Sequence, residues 1–159
     1  DPKEFPDFEQ GYVIALRTFL ADMPTLQPTG VELMVGSVEH SFAGRYDLRA
    51  ETSQPHSVVT KTYPKAPSKT VTVPVGEFLI DCKTAVDVFP EHDIQLGAYE
   101  GASIESGYEP TDGRIILQLG ADGRYQARQA HSSLEDFLAV KQCWHVLGEV
   151  RENLKVAYR

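Results

Sequence analysis

The chain has 159 residues, 42% hydrophobic and 24% charged, the balance of one globular domain with a sizeable core. Fifteen basic residues against twenty-three acidic ones leave a formal charge of −8. That excludes broad, non-specific attraction to polyanions, so any anionic partner must be met locally.

In chain order, Asp7 is placed to cap a first helix over Phe8 to Asp22, with Phe8, Tyr12, Leu16, Phe19 and Leu20 on its buried face. Pro24, Pro28 and Gly30 break the chain. Val31 to Val38 and Phe42 to Ala50 predict two strands of a hairpin. Glu51 to Lys69 holds Pro55, Pro64 and Pro67 and reads as a long hairpin tip or surface loop. A third strand is expected over Thr70 to Lys83, bent near Pro74 and Gly76. Pro90 opens a second helix over Glu91 to Ser103. Ile115 to Leu119 and Arg124 to Ala130 form another hairpin around Asp122-Gly123. Ser132 to Glu135 carries a capping-box pattern opening a last helix, with Leu134, Phe137, Leu138, Trp144 and Leu147 on one side. This order predicts an α/β domain with a mixed central β-sheet flanked by α-helices.

Asp81 and Lys83 stand two apart on a strand and so share a face, opposite Ile80 and Cys82. An acid and an amine closing the apolar run Phe78-Leu79-Ile80 are costly unless they serve each other or a ligand. Alone, they read as an ion pair at a strand end. Asp47, in Gly44-Arg45-Tyr46-Asp47, adds a second carboxylate on the preceding strand. If the two strands are antiparallel neighbours, both acids reach one point, where a divalent cation relieves their repulsion. Gln95 and Tyr99 follow at i and i+4 on one face of the second helix.

The ordered trio Gly44-Arg45-Tyr46-Asp47, Ile80-Asp81-Cys82-Lys83-Thr84 and Gln95-Leu96-Gly97-Ala98-Tyr99 resembles the signatures of the RecB-like nucleases, in the PD-(D/E)xK superfamily. The similarity spans roughly Val31 to Tyr99. It implies a restriction-endonuclease-like core over residues 1–159, and a Mg²⁺- or Mn²⁺-dependent deoxyribonuclease of phage or bacterial exonuclease type. The expected partner is DNA, as a single strand or a duplex end. Asp47, Asp81 and the Cys82 carbonyl are implied as metal ligands, and Lys83 as the group that positions the attacking water. Gln95 and Tyr99 are implied to orient the site or hold the DNA backbone; packing of the helix on the sheet is the alternative. Three places are open for a further ligand: Glu32, Glu9 on the first helix, or a residue upstream of Asp1, since the sequence does not open on methionine.

Lys61, Lys65 and Lys69, with Tyr63 among them, make the one basic cluster. It reads as a flap gripping single-stranded DNA, or as a solvated hairpin tip. His40 reads as a turn residue, His56 as an exposed loop residue and His92 as a possible phosphate contact. His131 and His145 read as structural. Cys82 and Cys143 form no disulfide framework and no metal-binding spacing. No apolar run nears the ~20 residues that span a bilayer, and no signal peptide is visible. A cytoplasmic protein with reduced thiols and no membrane partner is expected. Two other functions compete with the nuclease: a catalytically inactive nucleic-acid-binding module of the same fold, and a structural or virion interaction protein.

Overall fold

Strands buried on both faces need cover on each side, and the apolar runs around Leu79 and Leu117 impose that requirement here. The computed structural model describes residues 1–60 and 69–157. After a 3₁₀ turn at Pro2–Glu4 come α1 (Asp7–Asp22), β1 (Leu26–Ser37), β2 (Phe42–Thr52), β3 (His56–Thr60), β4 (Lys69–Val73) and β5 (Gly76–Lys83). Then follow α2 (Pro90–Glu105), β6 (Gly113–Leu119), β7 (Tyr125–Ala130) and α3 (Leu134–Ala157). Five strands form one sheet in the order β1-β2-β5-β6-β7. β5 and β6 run parallel, with α2 as their crossover, and every other neighbouring pair is antiparallel. The architecture is therefore α/β, with a mixed central sheet flanked by helices.

Alternation along the strands divides the core in two. Phe78, Ile80, Ile115, Leu117 and Ala50 pack with Ala15 and Phe19 of α1. Leu79, Ile116, Tyr46 and Val35 pack with Leu96 and Ala102 of α2. α3 lies outside α2, with Phe137 against Phe42 of β2 (ring centroids 4.7 Å apart).

Five expectations are corrected. The segment from Glu51 to Lys69 is not all loop, because His56–Thr60 pairs with Lys69–Val73 in a separate two-stranded ribbon. The strand expected over Thr70 to Lys83 is two strands in different sheets; Pro74, which lacks an N–H, falls between them. On α1, Phe8 is 73% exposed and Leu20 is exposed, while Ala15 and Phe19 are buried. The helix is rotated because it approaches the β6–β7 turn closely at Gly11, where a side chain would run into the Ala121 carbonyl. On α3, Trp144 and Leu147 are exposed and only Leu134, Phe137 and Leu138 are partly covered. Its cap is Ser133, one residue later than the pattern suggested: Ser133 N donates to Asp136 Oδ2 at 2.8 Å. Among the described residues, no helix is long and apolar enough to cross a membrane.

Candidate active site

β5 supplies the centre. Its ladder with β2 ends at Leu48↔Ile80, and the next step along both strands holds Asp47 and Asp81. There a side chain takes over from the backbone: the Cys82 N–H donates to Asp47 Oδ2 at 2.6 Å. Ladder pairing between β1 and β2 passes from Val31↔Leu48 to Leu33↔Tyr46, leaving out Glu32 and Asp47. Glu32 has φ = +53°, a left-handed conformation that costs a non-glycine residue about 1–3 kcal/mol. The strand turns over at this step. Leu48 packs on the α1 side, whereas Tyr46, two residues earlier, packs on the α2 side. Asp47 sits at the turning point.

Asp81 and Lys83 face α2, as two-residue spacing requires. Asp81 is buried, and Lys83 Nζ lies 2.5 Å from its Oδ2. Lys83 Nζ also donates to Gln95 Oε1 at 3.0 Å, and Gln95 Nε2 donates to the Tyr99 hydroxyl at 2.5 Å. The chain Asp81–Lys83–Gln95–Tyr99 thus links β5 to α2 and fixes the Gln95 amide.

Burial pushes the Asp81 carboxyl above its ordinary 3.8; Lys83 pulls it back and the Asp47 charge adds to the rise. Tyr99 is raised chiefly by burial and then by Asp81, so its phenol holds its proton. The Cys82 thiol is pushed up to about 12, mainly by burial. A protonated sulfur facing the α1 side is a poor metal ligand. Any contribution from Cys82 comes through its backbone.

Gly44 has a defined role. A Cβ there would stand 2.3 Å from Tyr99 Cε1, so glycine makes the space in which the Tyr99 ring lies. Gly44 and Tyr99, far apart in sequence, are two halves of one contact.

The remaining candidates divide. Glu32 lies close enough to the site to affect the Cys82 thiol, but its carboxylate is paired with Arg45 Nε at 2.8 Å, and both side chains are exposed. Lys69 is exposed at the start of β4; Lys61 and Lys65 lie outside the described residues. His92 caps α2, its Nδ1 accepting from Phe89 N at 3.2 Å. It also lies near enough to Asp81 to lower that carboxyl slightly. His56 is not an exposed loop residue: it sits half-buried in β3, its Nε2 2.6 Å from Thr25 Oγ1. His40 stands in the β1–β2 turn, and the side chains of His131 and His145 are exposed.

One residue escaped sequence reasoning. Gln118 of β6 pairs with Lys83 in the parallel ladder and is buried. Its Nε2 donates to the carbonyls of Ala85 (2.8 Å) and Val86 (2.7 Å), fixing the chain as it leaves Lys83. The signal was available: a lone amide interrupts the apolar run Ile115 to Leu119.

The donor set suits a hard divalent cation in kind. Two neighbouring carboxylates repel each other, and oxygen ligands are what such ions prefer. In number it is spare: among the described residues, no cluster of three or more His, Cys, Asp or Glu side chains forms. Backbone carbonyl and water would have to complete the shell. The sequence matches no protein-family model, and no curated protein matches it.

Proposed function

We propose that the chain is a metal-dependent DNA nuclease of the RecB-like type, with a restriction-endonuclease-like core. The observation that carries this reading is the convergence of Asp47, Asp81, Lys83, Gln95 and Tyr99, drawn from β2, β5 and α2, at the end of β5. Asp47, Asp81 and the Cys82 carbonyl would hold Mg²⁺ or Mn²⁺, which when bound polarises a phosphate and lowers the pKa of water. Lys83, held between Asp81 and Gln95, places a positive charge where negative charge develops during phosphodiester hydrolysis. Tyr99 and Gln95 fix that ammonium and offer hydrogen bonds to a phosphate backbone. The substrate under this reading is DNA, a single strand or a duplex end.

Purified protein is expected to degrade DNA with Mg²⁺ or Mn²⁺ and to stop on chelation. Lys83→Ala is expected to abolish the activity. Full cleavage by that variant, or in excess chelator, would overturn the mechanism. A second reading has its own support: Glu32 is engaged by Arg45, and only two carboxylates converge. These favour a nucleic-acid-binding module of the same fold without catalysis. DNA binding that neither metal nor Lys83→Ala alters, with no cleavage under any metal, would select it.

A further inference from the structure

The chain between β5 and α2 is held at two points. Gln118, buried in β6, spends its amide N–H groups on the Ala85 and Val86 carbonyls, and its own Oε1 has no donor among the described residues. Burying an acceptor without a donor costs stability, and what it secures is the path of this loop. Val88 is the second anchor, packed against the α2-side core. Between and after these anchors the loop keeps two large apolar side chains in solvent: Val86, and Phe89, which stands immediately before α2 and is 50% exposed. An exposed aromatic ring is thus carried on a fixed backbone.

That ring is tied to the candidate site through His92. His92, Gln95 and Tyr99 step by three and four and so form one stripe along α2; Gln95 of that stripe holds Lys83 and is itself held to Tyr99. His92 extends the stripe toward Phe89, whose ring meets the imidazole edge to face with centroids 5.9 Å apart. His92 Nδ1 accepts from the Phe89 N–H at 3.2 Å. An imidazole nitrogen that accepts carries no proton, so the ring proton sits on Nε2 as a donor. The stripe therefore runs from the Lys83 ammonium, past an N–H donor, to an exposed aromatic face.

Charge narrows what this path accepts. Among the described residues of the site, the cations are Lys83, engaged by Asp81 and Gln95, and Arg45, engaged by Glu32. Asp87 and Glu91, both exposed, flank Phe89 and repel a phosphate placed beside it. A duplex brings two phosphate backbones and keeps its bases paired and stacked, so it finds little positive charge here and offers the ring nothing. An unpaired base stacks on an aromatic face without needing charge, and every base has such a face. We infer that Phe89 stacks an unpaired base of the substrate, with the neighbouring phosphate toward His92 Nε2 and Lys83, so that the nucleic acid this site takes is a single strand. The inference rests on the proposed reading of the site as one that meets DNA.

Fluorescence anisotropy tests it, with Ca²⁺ in place of Mg²⁺ to slow cleavage and three ligands: oligothymidylate, the same strand in a blunt duplex, and an abasic strand of equal length and charge. The parent is expected to bind oligothymidylate about tenfold or more tighter than the other two, the size of one stacked base. Phe89→Ala is expected to lose that preference while binding the abasic strand as the parent does, and Phe89→Trp to keep it. The ring is exposed, so both variants are expected to retain the helical circular dichroism. With only one or two phosphate contacts, affinity for the strand is expected to fall less than about tenfold from about 50 to 200 mM salt. A parent that binds DNA but holds the duplex as tightly, or whose preference survives Phe89→Ala, overturns this inference and leaves the nuclease reading standing. A parent that neither binds nor cleaves DNA overturns both.

Discussion

The two faces of the central sheet are built from the same strands and do different work. Against α1 the strands present an unbroken apolar surface, with Phe78, Ile80, Ile115, Leu117 and Leu119 meeting Ala15 and Phe19. Against α2 the apolar cluster is smaller, and Asp81, Arg49 and Gln118 are buried in the same sheet. Alternation allows this division, because residues i and i+1 of a strand belong to different environments. One face can be given wholly to burial, which stabilises the fold. The other can then carry buried charge, which costs stability unless it is paired or binds a ligand.

Adjacent substitutions on β5 are the sharpest way to break this comparison. Ile80→Ala is expected to cost about 2–5 kcal/mol, the range for opening a cavity at a fully buried aliphatic position. Urea denaturation measures it, and a loss under about 1 kcal/mol would show that the α1 face is not the stabilising one. Its neighbour Asp81 is expected to behave in the opposite way. Since burial raises the Asp81 carboxyl, the folded state disfavours its charge. Asp81→Asn should leave the melting temperature unchanged or higher, while the proposed DNA cleavage falls about a hundredfold or more. A large drop in melting temperature would make Asp81 a structural residue and remove the contrast.

Gly44→Ala tests the α2 face by overpacking. The added methyl would strike the Tyr99 ring, at an expected cost of about 1–3 kcal/mol. Combining it with Tyr99→Ala should recover much of that loss; strict additivity of the two would show that the ring does not occupy the Gly44 space.

The smallest effect concerns Arg49, whose Nη2 donates to Glu77 Oε2 at 2.6 Å and to the Glu109 carbonyl at 2.7 Å. The Arg49 guanidinium holds the Glu77 carboxyl below its ordinary 4.5. A lowered folded-state value means that the unfolded chain takes up the proton first. The pair's contribution is therefore fully present above pH 4.5 and fades as pH falls through the lower folded value. In denaturation measured across that acidic window, Glu77→Gln should flatten the pH dependence relative to the parent. Identical slopes for both proteins would remove the pair as a contributor.

Much of the fold was legible in the sequence, since local periodicity is a property of the chain itself. Two-residue spacing placed Asp81 and Lys83 together on one face, and four-residue spacing aligned Gln95 with Tyr99 on α2. Proline and glycine marked most element ends. The helix faces were read less well, because large apolar residues do not reveal which side a neighbour will approach. Close packing at Gly11 rotated α1 away from Phe8, and α2 covers only the first turns of α3. The ribbon of β3 and β4 was hidden for a similar reason: strand partners are chosen across space, and a Pro-rich stretch gives no sign of them.

The sequence by itself determined which residues carry charge and which of them share a local face. Only the tertiary structure decided how they meet. It set Asp47 opposite Asp81 at the end of a ladder, put the Cys82 N–H on Asp47, drew Glu32 toward Arg45, and fitted the Tyr99 ring over Gly44. Each of these contacts joins residues distant along the chain, and their geometry follows from sheet order and strand register, which long-range burial sets and local propensity does not.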